Sequence, residues 1–131
     1  MIMELDERCR EVIEKTEWIA ITTSSGDGPH TVAAWGYRLR KIGIRDGGTI
    51  VLPAGKYFQT EENLKKDSRI QLLVASSGVQ KADGKQGQGY RISGKGEIQT
   101  TGPMVDLVKT EFSWARVALI VRIEKAEALI V

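Results

Sequence analysis

Apolar positions change their spacing several times along the chain, and each change marks an element. Leu5, Cys9, Val12 and Ile13 recur at helical intervals with charges between them, so residues 4 to 15 predict an amphipathic helix with one buried face. "WIAITTS", Trp18 to Ser24, is rich in β-branched and aromatic side chains instead, and the turn signal "SGDGP" leads from it into "HTVAAWGYRL". That is the pattern of a hairpin. "RDGG" at 45 to 48 marks another turn before the short buried strand "TIVLP", which Pro53 ends. Thr60 is an acceptable N-cap, with Glu61 and Glu62 in the first turn, for a short helix through Leu64 to about Lys66. "RIQLLVAS" predicts a fourth strand, the glycine-rich "SGVQKADGKQGQG" a long mobile loop, and "YRISGKGEIQTT" a fifth strand. Gly102 and Pro103 open a third helix, with Met104, Leu107, Val108 and Phe112 along one face, and "WARVALIVRIEKAEAL" predicts strand six.

Six strands with three short helices, the hairpins separated by helices, point to an antiparallel sheet or barrel rather than a doubly wound parallel fold. The expected class is α+β, mostly β, with a six-stranded antiparallel barrel core. At 131 residues the chain is long enough for a single domain, 1–131, and too short for separate cofactor and catalytic domains. Nineteen basic and seventeen acidic residues, evenly scattered, give a net charge of +2 and argue against a nucleic-acid surface. Cys9 is the sole cysteine and reads as a small apolar core residue. The start "MIMELDERCREV" is too charged for a secretory signal, and no apolar run approaches a membrane span. The expectation is a cytoplasmic protein with no membrane partner.

Most chemistries lack their residues. His30 is the only histidine, so a Ser or Cys triad lacks its usual base and a zinc site lacks ligands. "GVQKADGKQ" fails as a phosphate loop, having five residues between its glycines and Gln86 where Ser or Thr must bind magnesium. "GKQGQG" lacks the strand-and-helix setting of a dinucleotide site. What remains is Trp35 with Tyr37, the stretch Gly55 to Thr60, and Trp114 with Arg116.

Taken in order, "GDGPHTVAAWGYRL", "TIVLPAGKYFQTEENLKKDSRI", "GQGYRISGKGEI" and "FSWARVALIV" resemble the small FMN-binding proteins of the pyridoxamine 5'-phosphate oxidase-like split-barrel superfamily, over residues 15 to 131. The resemblance implies a six-stranded split β-barrel and a homodimer, with FMN in a groove at the subunit interface. It implies that Pro53, Gly55, Lys56, Tyr57, Gln59 and Thr60 form the loop and helix start around the phosphate and ribityl chain. Ala33, Ala34, Trp35 and Gly36 would run beneath the ring system, with Trp114 as its aromatic neighbour. The chain departs from its relatives at Gln59, where they carry Lys, and at Ala33 and Gly36, where they carry Asn. Lys56 is then the expected replacement cation, and Arg38 a second candidate. The apolar tail 128–131 is expected in the dimer interface.

No catalytic residue or metal ligand is assigned. The leading reading is an FMN-binding redox protein, either an electron carrier or a small flavin-dependent oxidoreductase, with an unidentified redox partner or substrate. The alternatives are a reductase using a nicotinamide or deazaflavin donor, and a module that holds haem or another ligand without catalysis.

Overall fold

The computed structural model describes residues 5–46 and 48–129. The expected helix start at Glu4, Gly47 of the "RDGG" turn, and Ile130 and Val131 of the tail lie outside them. In chain order the elements are α1 (Glu7–Lys15), β1 (Trp18–Ser25), β2 (Gly28–Trp35), α2 (Gly36–Ile42), β3 (Ile44–Arg45), β4 (Thr49–Ala54), α3 (Phe58–Lys66), β5 (Arg69–Gln80), β6 (Gln86–Gln99), α4 (Pro103–Glu111) and β7 (Val117–Leu129). The strands form one sheet in the order β2-β1-β5-β6-β7-β4-β3, every pairing antiparallel. The fold is α+β and mostly β, an unclosed split barrel, as expected. Among the described residues there are seven strands where six were expected, and four helices where three were.

Two departures from the expectation stand out, and the first adds α2 and β3. "HTVAAWGYRL" is not one strand: β2 stops at Trp35, and Gly36–Ile42 turns into α2, burying Gly36, Leu39 and Ile42 at intervals of three. Gly36 explains the break. Its amide donates to the Glu17 carbonyl at 2.8 Å, and its α-carbon lies so close to the Thr16 carbonyl that a Cβ would collide. After α2, Gly43 (φ 79°) lets the chain enter the short β3.

The second difference is at 77–89, expected to be a loop. β5 runs on to Gln80 and β6 starts at Gln86, leaving a tight connection with Gly84 at φ 87°. The pairing slips between Ser76 and Gln80, and this irregular ribbon buries Val79 and, at its base, Gln88 and Gly89, while residues 80–86 face largely outward.

The main core gathers Ile19 and Ile21 of β1, Leu72 and Val74 of β5, Ile92 of β6, Leu119 and Val121 of β7, and Cys9, Val12 and Ile13 of α1. A second cluster packs Val105, Val108 and Phe112 against Val51, Ala118 and Ile120. β4 and β7 are therefore covered on both faces. This is why "TIVLP" and "VALIV" are unbroken apolar runs; each fully buried Val or Ile contributes about 1.5–3 kcal/mol.

Candidate functional site

The site is built where β4 gives way to α3. Pro53 and Ala54 are buried at the end of β4, Gly55 and Lys56 form a bend, and Tyr57 takes the N-cap position of α3. Tyr57 makes no side-chain cap, so the amides of Phe58, Gln59 and Thr60 have no intrahelical acceptor. Thr60 itself is 1% exposed, and its Oγ1 is buried without a hydrogen-bond partner. A buried hydroxyl lacking a partner costs about 1–3 kcal/mol, so this helix end is short of an acceptor.

The bend is tied down from β7. The Arg116 amide donates to the Ala54 carbonyl, and its Nε donates to the Gly55 carbonyl at 3.0 Å. Its Nη2 meets Glu61 Oε2 at 2.6 Å, and the guanidinium lies 4.7 Å from the centre of the Phe58 ring. Trp114 packs against Gly55, its ring atoms 3.4 Å from where a Cβ would stand. On the far side, Tyr57 Oη donates to the Ala33 carbonyl at 3.0 Å. Burial pushes the Tyr57 phenol above its ordinary value, and the nearby Arg38 charge partly offsets this.

α2 adds the remaining wall. Arg38 places its guanidinium 4.5 Å from the centre of the Trp114 ring and 5.8 Å from that of Tyr37, with Phe112 5.7 Å from Trp114 and 6.3 Å from Tyr37. Arg38 Nε is buried and has no hydrogen-bond partner. Trp114, Phe58 and Tyr37 nevertheless stay about half exposed, at 47%, 57% and 49%. An aromatic and cationic wall thus stands open beside an uncapped helix start, the combination that receives an anion attached to a flat ring.

The expected site residues fall into groups. Trp114 packs on Gly55, Tyr57 reaches the Ala33 carbonyl, and Thr60 lies buried in the first turn of the helix that Tyr57 opens. Gln59 turns along α3, donating to Asn63 Oδ1 at 2.8 Å, while Asn63 donates to Thr23 at 3.0 Å. Lys56 is exposed and has no ion pair with a described residue. Ala34 faces the main core at 6% exposure, Pro53 is buried in β4, and Gly36 is occupied by its contact with Thr16. Trp35 projects outward beside its cross-strand partner Trp18.

Arg38, expected as a second candidate cation, stands against Trp114, and Arg116, which follows Trp114, adds a clamp on the bend. Arg116 stands two residues after Trp114, but its partners at Gly55 and Glu61 are 61 and 55 residues away, so only the fold reveals the clamp. Concavities elsewhere have a different character. One of about 750 Å³ between α1 and the β5–β6 ribbon is lined by Asp6, Glu7, Arg8 and Glu11, with charges of both signs facing solvent. Among the described residues no three His, Cys, Asp or Glu side chains are grouped to hold a metal ion, and no helix is long and apolar enough to cross a membrane.

The fold is an open antiparallel split barrel with an uncapped helix start after its fourth strand. The family model described as pyridoxamine 5'-phosphate oxidase matches residues 5–128, and the chain belongs to that family. An FMN-binding protein of Nitratidesulfovibrio vulgaris is 35% identical over 117 residues, covering 89% of this chain and 92% of the relative. Among solved structures, HupZ of Group A Streptococcus superposes with a TM-score of 0.74 at 18% identity, over 95% of this chain and 94% of that one. An FMN-binding protein of Syntrophomonas wolfei gives 0.67 at 16% identity, over 95% and 86%. At those identities the two structures speak for the fold alone.

Proposed function

We propose that this chain is an FMN-binding redox protein and that it works as a homodimer with the flavin at the subunit interface. The observation that carries the reading is the orphaned Thr60 hydroxyl, buried at an uncapped helix start beside Gly55 and Trp114. A phosphate monoester fits what is missing there. Its oxygens accept from Thr60 and from the free amides of Phe58, Gln59 and Thr60, and its charge suits the positive end of the α3 dipole. Gly55 keeps the floor of the bend low, and Trp114 offers an aromatic face to a ring system. The 35% identical FMN-binding protein supports the same choice of ligand.

When bound, the flavin supplies the electron-transfer chemistry. The chain's own residues then have simpler tasks. Thr60 and the α3 amides bind, Arg116 holds the bend in shape through Gly55 and Glu61, and Tyr57 fixes that bend to β2 through Ala33.

Dimerisation is supported by the outer face of the sheet. Cross-strand partners share a face, so Trp18 and Trp35, Ala33 and Leu73 lie on one outward apolar face, with Ala20 buried between Ala33 and Leu73. Gly89 pairs with both Ala75 and Leu129, carrying the patch to the described end of the tail. Trp18, Trp35 and Leu73 are 55%, 53% and 39% exposed, a large apolar face for a lone subunit to leave in water.

Absorption spectroscopy of the purified protein, with FMN titrated against tryptophan fluorescence, tests the cofactor. Saturable quenching at one FMN per chain is expected, and no spectral or fluorescence change at micromolar flavin would refute it. Sedimentation of the flavin-loaded protein is expected to give a dimer, and a flavin-loaded monomer would remove the interface from the proposal.

A further inference from the structure

Resting on the FMN reading above, we propose that Arg38 on α2 is the cation that faces the negative charge of the bound flavin. Arg38 thereby takes the place expected of Lys56.

The two candidate cations are unlike. Lys56 is exposed on the bend and has no carboxylate partner among the described residues, so it is a hydrated charge on a flexible stem. Arg38 is held in place. Its guanidinium stacks 4.5 Å from the centre of the Trp114 ring and also approaches Tyr37, while Nε is buried with no hydrogen-bond partner. A guanidinium stacked on an aromatic face keeps its in-plane N–H donors directed sideways, where a planar or tetrahedral anion is met by two of them. Its location also ties it to the site from a second direction, since its charge is felt at Tyr57, the residue that opens α3.

The other nearby cations have commitments. Arg116 is engaged by the Gly55 carbonyl and by Glu61 at 2.6 Å, and Lys41 by Glu111 at 3.6 Å. Arg38 makes no ion pair with a described residue and has a donor to spare, within contact distance of the aromatic wall. A bound flavin offers two sources of negative charge, the phosphate in every redox state and the ring system after reduction. The shared requirement is a fixed cation beside Trp114.

The test measures dissociation constants for FMN and riboflavin, each oxidised and each reduced with dithionite under anaerobic conditions. The proteins are the unaltered chain, Arg38→Gln, Arg38→Met, Arg38→Lys and Lys56→Gln. Arg38→Met keeps the packing on Trp114 and stands in if Arg38→Gln does not fold. Neutralising Arg38 is expected to weaken a charged flavin by about ten- to a hundred-fold, Arg38→Lys to recover most of this, and Lys56→Gln to change it by less than about threefold. A loss confined to FMN in the oxidised state assigns the phosphate; a loss on reduction shared by FMN and riboflavin assigns the reduced ring. Unchanged affinities in all four cases, or an equal loss for oxidised riboflavin, which carries no net charge, would overturn the proposal while leaving FMN binding intact. An unaltered chain that binds neither flavin would instead overturn the functional reading on which it rests.

Discussion

Two helices of nine residues, α1 and α3, begin in opposite ways. α1 is closed: Asp6 accepts from the Cys9 amide at 2.7 Å and also from the buried Tyr90 hydroxyl at 3.2 Å. α3 is open: Tyr57 caps nothing, and Thr60 keeps a buried hydroxyl without a partner. Both have an acidic residue in the first turn and lysines in the last, so composition near the termini does not separate them. The difference teaches that one helix start is satisfied by the fold and the other awaits something from outside.

The largest expected effect separates the two ends through Thr60→Val. The substitution removes a buried hydroxyl that has no hydrogen-bond partner among the described residues and keeps its shape, so urea unfolding is expected to show the apoprotein stabilised by about 1–3 kcal/mol. FMN affinity is expected to fall about ten- to a hundred-fold, with riboflavin nearly unaffected. A large loss of stability without loss of FMN would make Thr60 a structural residue.

Asp6→Ala is the mirror experiment. Loss of a side-chain cap costs about 1 kcal/mol, and Tyr90 is left without its acceptor, while FMN affinity should stay at the value of the unaltered chain. An FMN effect here larger than the stability effect would erase the contrast between the ends.

Gln59→Lys should sharpen the open end further. A cation added beside the phosphate is expected to tighten FMN by about two- to fivefold at low ionic strength, and by less as salt screens it. A salt-independent change would trace to the Gln59–Asn63–Thr23 network instead.

The smallest effect is a titration at the closed end. Burial first, then the Asp6 charge, pushes the Cys9 thiol up to about 11, with Arg10 pulling the other way. The native state therefore favours the protonated thiol. This contribution to stability is complete below the ordinary thiol range near 9 and is lost as pH rises through about 11. Thiol reagents at pH 8 should leave the native protein unlabelled and label it on unfolding; rapid native labelling would show that the α1 end opens readily.

The sequence carried the strands whose alternation or burial is strong, and the helices whose apolar spacing is regular. It misled at Gly36, because "WGYRL" continues a β-like alternation while the close approach to Thr16, twenty residues earlier, is invisible in one dimension. It misled again at 77–89, where a ribbon with little buried surface has the composition of a loop, although its register holds Gln80 opposite Gln86. At the candidate site, the family resemblance pointed to Gly55, Tyr57, Thr60 and Trp114. The clamp of Arg116 on Gly55 and the stacking of Arg38 on Trp114 were not, since each joins segments far apart in sequence whose proximity is set by β7 lying beside β4.

That neighbour relation fixes when the site can exist during synthesis. Among the described strands β4 reaches the rest of the sheet through β7, its other partner being the short β3, and β7 follows all of them in the chain. A chain still emerging from the ribosome can pair β1 with β2 and β5, and β5 with β6. It must release residues 114 to 129 before Trp114 and Arg116 can shape the bend at Gly55. A chain truncated before β7 therefore lacks both the Trp114 face and the Arg116 clamp on that bend.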